Sequence, residues 1–372
     1  MIKHKISDIA DAILKKSYNE ELPYIEIGDI DVETKQYIRK DKSAVKGALK
    51  AKKDHVLISK VRPTRGAVTI ITKDCLVSNA FVVLQTRESI IPKYLIYSIA
   101  YNKRFFLRLG KLEKGTSYPS CRAKDILTYK ISLFTISKQK EIIQKLDTAN
   151  NLRQKRKEQL ALLDDYLKSV FLDMFGDYLN SQGKFIHLEK LTKKISVGHV
   201  GPTSYAYTDR GIPFLRTQNI KRNFIDLRQL AYVNEDFHKK LKKSQIHTND
   251  VLISRVGVNR GIAAVVLKEL DSANCANVII VGKSEGFNSI FLSAYLNFTY
   301  GRSAKFGYSV GSAQGVVNTS IVKKWPIIDV NIEIQNKFAS IVEQVEKTKQ
   351  KMRDSLEEMD NHFNALMQRY FE

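Results

Sequence analysis

Cysteine is scarce in this chain of 372 residues: Cys75, Cys121 and Cys275 stand far apart, with no CxxC spacing and no histidine pair nearby. A disulfide framework and a zinc site are therefore not indicated. Proline is nearly as scarce, seven in all and none adjacent to another, so the Asp/Asn-Pro-Pro-aromatic motif of an adenine methyltransferase is missing. No GxGxxG follows a strand-like run and no GxxxxGK[ST] occurs, which leaves nothing to cradle a nucleotide phosphate. The seven histidines are scattered without HExxH, so metal-dependent hydrolysis has no ligand set. No apolar run reaches transmembrane length and MIKHKISDIA has no signal-like apolar core; the expectation is a cytoplasmic protein with no membrane partner.

Acid is also in deficit. Asp and Glu number 39 against 61 Lys and Arg, a net charge of +22 and a pI near 9.6. An excess of this size favours a polyanion as partner. The charge is spread along both halves rather than gathered on one amphipathic helix, which favours nucleic acid over a membrane surface.

What the chain does have is a long helix, met twice. From Lys138 to Gly176 the apolar positions step by four and three through Ile142, Leu146, Ala149, Leu160, Leu163, Leu167, Val170 and Met174, with Arg153 and Arg156 as polar interruptions. This is the stripe of a coiled-coil seam. Moving 196 residues on gives Phe338, Val342, Val345, Lys349, Met352, Leu356, Met359, Phe363, Leu366 and Tyr370, a second copy in step with the first. Two matched narrow stripes in one chain predict two helices packed on each other. At about 1.5 Å per residue the seam from 142 to 174 is a rod of roughly 48 Å, a length that suits a spacer. Arg153, Arg156 and Lys349 sit where leucine would pack better, so they are expected to fix register by meeting acids of the facing helix or of a partner.

The repeat continues outside the helices. PYIEIGDID (23–31) aligns with PFLRTQNIK (213–221), VLISKVRPTRGAVTI (56–70) with VLISRVGVNRGIAAV (251–265), and the helix-like stretch near 92–107 with that near 288–300. VLIS before a Gly-containing turn, and the β-branched runs SNAFVVL and CANVIIV, predict short strands. The fold class expected is α+β: two tandem globular domains, 1–135 and 177–331, each leading into a long helix, 136–176 and 332–372, the helices antiparallel and the whole a pseudo-twofold duplication.

The residues that suit a nucleic-acid surface fall in three places. Lys60, Arg62 and Arg65, with Arg255, Asn259 and Arg260 in the second half, lie on turns between strands; Arg and Asn make paired hydrogen bonds to guanine and adenine edges. Arg65 and Arg260 could equally brace their hairpins through ion pairs. Arg216, Gln218, Asn219 and Lys221 offer amides and cations in one run, whereas the aligned Glu26–Asp31 is acidic, so the two globules should not read the same bases. Lys111, Lys114 and Ser117, with Ser312, Gln314 and Asn318 in the second half, lie in Gly- and hydroxyl-rich loops that suit phosphate contacts, though ordinary loops have the same composition.

These pieces resemble the specificity (S) subunits of type I restriction-modification enzymes. The resemblance rests on PFLRTQNI, on VLISRVG with its following RG, on the GSAQGVVN loop, and on helices opening at Lys138-Gln139-Lys140-Glu141-Ile142 and Ile334-Gln335-Asn336-Lys337-Phe338. It covers essentially the whole chain and is closer in the second half; the first has KGTSYPSCR where a Ser-Gln-Gly loop is typical. It implies two target-recognition domains, each for one half of a bipartite sequence in double-stranded DNA, and no catalytic site on this chain. It further implies a prokaryotic phage-defence complex with two modification subunits, which bind S-adenosylmethionine and methylate adenine, and restriction subunits that use ATP and Mg²⁺. Two other readings differ in class. One is a protein-interaction scaffold whose charge serves solubility; the other is an autonomous nuclease using Asp29 or Asp31 with Glu33 and Lys35, which has no counterpart in the second half.

Overall fold

The computed structural model describes residues 3–16, 22–38, 45–180, 184–257, 260–299 and 316–371. Two long helices, Ile136–Asn180 and Ile332–Phe371, dominate it. Their starts follow polar caps: Thr135 Oγ1 accepts from the Lys138 N–H at 3.4 Å, and Asn331 Oδ1 from the Glu333 N–H at 2.9 Å, each meeting a donor that the first turn leaves free. No helix among the described residues is long and apolar enough to cross a membrane.

The chain divides into two compact units, residues 1–156 with 355–372 and residues 157–354. Each unit holds one globule with a part of both long helices, because the side chains at a helix end pack on a globule and group with it.

In the first unit, strands Ala10–Ala12, Phe81–Thr86, Val56–Ser59 and Val68–Ile70 form an antiparallel sheet in that order. All four residues of Val56–Ser59 are buried. The cause is the pleat: Val56 and Ile58 face a core shared with helix Pro92–Ala100 and the long helices, while Leu57 faces a second core under the sheet Tyr24–Ile25, Cys75–Val77, Leu49–Ala51. A strand covered on both faces reads as an unbroken apolar run. Helix Lys103–Leu112 begins anew after Asn102, whose side chain accepts from the Arg104 and Phe105 N–H groups, so the single helix expected near 92–107 is two. In the core Ile142, Leu146 and Ala149 of the first long helix join Phe363, Met367, Tyr370 and Phe371 of the second. Arg153 donates through Nε to Asp360 and its guanidinium lies 4.3 Å from the Phe363 ring centroid.

The second unit repeats the plan. Ile195–Val197, Val278–Val281, Val251–Ser254 and Ala263–Val265 make the antiparallel sheet, helix Ser289–Thr299 lies against it, and Val251 and Ile253 face one core while Leu252 faces another. Phe171 and Phe175 meet Phe338 with ring centroids 5.7 and 5.3 Å apart. Lys349 donates to Asp164 at 2.6 Å and to Glu346 at 2.8 Å. Within this unit 164 lies beside 349 and 171 beside 338, so the helices run antiparallel. Asp360 stands 196 residues after Asp164, and Lys349 stands 196 after Arg153. Two of the three cations that interrupt the stripe, Arg153 and Lys349, therefore meet equivalent acids of the facing helix.

Of the seam positions read from the heptad, Ile142, Leu146, Leu167, Phe338, Val342 and Phe363 are buried, and Leu160, Leu163, Val170, Leu356, Met359 and Leu366 are half-buried. The heptad misses Phe171, Phe175, Met367 and Phe371, all buried. These lie beside the seam, where a globule covers a wider face of the helix.

One joint recurs. Gln139 is fully buried; its Nε2 donates to Ser89 O and Phe134 O at 2.9 and 2.8 Å, and its Oε1 accepts from the Ile91 N–H at 2.9 Å. Gln335 donates to Val330 O and accepts from the Asn288 N–H. A glutamine one turn into each long helix thus fastens the start of the globule's own helix.

Candidate nucleic-acid interface

In the first globule the turn after Val56–Ser59 and the loop after helix Lys103–Leu112 come together. The Cys121 N–H donates to Lys60 O and the Arg62 N–H to Pro119 O, while Arg62 Nη2 donates to Ser117 O at 3.1 Å. The Arg62 guanidinium stands 5.2 Å from the centroid of Tyr118, an exposed ring. Arg62 has φ 46°, in the left-handed region, and leads into the short Pro63–Arg65 helix, so the chain reverses sharply and leaves Arg65 exposed. Lys111 at the helix end, Lys114 and Ser117 are exposed beside it; Lys60 is half-buried. Two of the sequence-derived sets thus form one basic patch around an aromatic ring.

Lys35 supports that patch from behind. Its Nζ donates to Gly66 O at 3.0 Å and its carbonyl accepts from Thr69 Oγ1 at 2.7 Å. Burial holds its pKa below the ordinary value against the opposing pull of Asp31. The carboxylates grouped with it on the nuclease reading are engaged with backbone: Asp29 Oδ2 accepts from the Glu26 N–H, and Asp31 Oδ1 from the Glu33 and Thr34 N–H groups. Among the described residues no group of three or more His, Cys, Asp or Glu side chains could hold a metal ion.

In the second globule the short helix Thr217–Asn219, preceded by strand Ile212–Arg216, opens onto a cleft of about 380 Å³. Arg216 and Gln218 line it together with Tyr207, Gly257 and Asn277. Arg216 donates through Nη2 to Gln229 O and lies over the Tyr207 ring, 5.9 Å from its centroid; its Nε is buried and has no hydrogen-bond partner, as is true of Arg255 Nε. The Val317 N–H donates to Arg255 O, the counterpart of Cys121 on Lys60. Gln218 is exposed; Lys221, Arg255 and Arg260 are half-buried.

One sequence expectation changes here. Asn219 is 2% exposed: Oδ1 accepts from the Arg216 N–H at 2.9 Å and Nδ2 donates to Asp226 O at 2.9 Å. Its amide is used up in shaping the turn and is not available to a base. Asn318 caps the helix Thr319–Lys323, Oδ1 accepting from the Ile321 N–H and from Ser320 Oγ. Asn259, Ser312 and Gln314 lie outside the described residues. Sequence reasoning passed over Tyr207 and Asn277; an asparagine between two apolar strands was the one available signal, since asparagine tolerates the left-handed backbone such a junction needs.

The family model of the type I restriction modification DNA specificity domain matches twice, over residues 3–162 and 194–358. No curated protein matches. Among solved structures the chain is similar to the S subunit of a type I restriction-modification system from M. genitalium, with 15% identity over 100% of this chain and 96% of that one and a TM-score of 0.58. It is also similar, with 15% identity over 99% of this chain and 97% of that one and a TM-score of 0.54, to a chain from a study of complex assembly and conformational transition of the type I R-M system. At this identity the likeness concerns the fold.

Proposed function

The chain belongs to the family of type I restriction-modification DNA specificity domains, and from that premise we propose that it is the non-catalytic subunit that reads a bipartite DNA target, one half-site per globule. The observation that carries the reading is the duplication at the level of side chains. Both globules offer cationic groups on the turn after the VLIS strand, Lys60, Arg62 and Arg65 in the first and Arg255 and Arg260 in the second, while the aligned turns Glu26–Asp29 and Arg216–Asn219 differ in chemistry, as two unlike half-sites require. Guanidinium groups held over tyrosine rings, as Arg62 and Arg216 are, are pre-oriented for bidentate hydrogen bonds.

The helix pair sets half-site separation near one turn of duplex. Two modification subunits dock on the equivalent surfaces that a pseudo-twofold creates; they hold S-adenosylmethionine, and restriction subunits hold ATP and Mg²⁺. Reconstitution with modification subunits tests the reading. Binding of a duplex should fall steeply with salt because several phosphates are neutralised at once, and single-molecule sequencing should find methylated adenine in one bipartite motif. Inserting a heptad at equivalent points of both long helices, about 10 Å of rise, should lengthen the gap of that motif; an unchanged gap would reject the spacer role. Salt-insensitive binding or methylation without a motif would favour a protein-interaction scaffold.

A further inference from the structure

Asn277 joins strand Asn274–Ala276 to strand Val278–Val281 with φ 55°. Three segments converge on its backbone: its N–H donates to His199 O at 3.1 Å, and its carbonyl accepts from Thr217 Oγ1 at 3.0 Å and from the Arg255 N–H at 3.3 Å. The residue is therefore fixed against two of the three sequence-derived loops of the second globule, those of Arg216 and Arg255. An asparagine in the left-handed region ordinarily uses its carboxamide on nearby backbone. Here, among the described residues, that carboxamide has no hydrogen-bond partner, and neither has that of Gln218, which lines the same cleft. Two residues with unengaged carboxamides thus line one cleft with Arg216 and supply it with both donors and acceptors.

We propose that Asn277 is a base-reading residue of the second globule and that, with Gln218, it selects adenine at one position of that half-site. The proposal rests on the DNA-reading function above. A carboxamide donates and accepts side by side, which matches N7 and the N6 amino group of adenine in the major groove and no other base there.

The test uses the full chain assembled with its modification subunits, with methylated positions mapped by single-molecule sequencing. Asn277→Gly keeps a residue at ease with positive φ and removes the amide. It should relax discrimination at one adenine of one half-site by on the order of 10-fold, leaving the other half-site and the thermal midpoint unchanged. Asn277→Asp, which presents only acceptors, should move preference at that position toward cytosine. Unaltered stringency in Asn277→Gly, with a normal midpoint, would overturn the proposal while leaving the DNA-reading function intact, as would equal loosening at every position. Wild-type complex that methylates no bipartite motif would remove the underlying reading and the proposal with it.

Discussion

The turns Glu26–Asp29 and Arg216–Asn219 share a backbone and almost nothing else. In each, the last side chain accepts a hydrogen bond from the first N–H, Asp29 from Glu26 at 3.1 Å and Asn219 from Arg216 at 2.9 Å, and a short 3₁₀ helix fills the interval. On that common frame the first globule presents Glu26, Ile27 and Gly28, and the second presents Arg216, Thr217 and Gln218. The lesson concerns division of labour. One buried side chain fixes the path of the chain, which frees the residues before it to carry any chemistry, acid or base.

That comparison can be broken by showing that the shared frame is dispensable, or sharpened by showing that the variable face is interchangeable. The largest effect belongs to the frame. Phe338→Ala removes a ring packed on Phe171, Phe175 and Phe291 and should cost about 3–5 kcal/mol, with Ile142→Ala at the equivalent place costing about 2–5, both read by urea unfolding. Next is Lys349→Met, which deprives Glu346 and Asp164 of a cation whose side chain is 5% exposed. We expect a loss of about 2 kcal/mol, partly recovered when Asp164→Leu is added. Asn219→Ala leaves the Arg216 N–H without its acceptor and the Asp226 carbonyl without its donor and should cost about 1–2 kcal/mol, whereas Asn219→Asp, the residue type of the first globule, keeps the first bond but not the second and should restore only part of it. Grafting the face alone, Glu26→Arg with Gly28→Gln, should change stability by less than about 0.5 kcal/mol yet alter the half-site read by the first globule, as methylation mapping would register. The smallest effect is at Glu141. Hydrogen bonds from Lys138 and Lys145 lower its pKa from an ordinary 4.5 to about 2. The ionised form is favoured by folding, so its contribution is complete at neutral pH and is lost as pH falls from 4.5 toward 2. Glu141→Gln should flatten the acid limb of a thermal-midpoint profile over that window, slightly, because the group is exposed.

The long helices and their register were legible because a seam imposes a period that sequence carries directly; the same rule flagged Arg153 and Lys349 as misfits, and their acids are 196 residues apart in the chain. VLIS was legible as a strand for a related reason, since only a strand covered on both faces stays apolar at every step. The apolar residues Phe171, Phe175, Met367 and Phe371 escaped because a heptad counts a two-position stripe, while a globule packed beside the helix buries a third. Asn219 escaped for the opposite reason: in a polar run, nothing distinguishes the side chain that turns inward from those that stay out. Asn277 was hidden by context, its importance resting on three backbone bonds from residues far apart in sequence.

The buried glutamines carry a consequence for exchange with solvent. The first amides of a helix have no intrahelical acceptor and ordinarily give up their protons to water within the fastest exchanging class. The Ile91 and Asn288 N–H groups, at the openings of the two globule helices, are instead held by Gln139 and Gln335. In D₂O they should retain their protons until the long helix itself separates from the globule, so that these two amides would time that event.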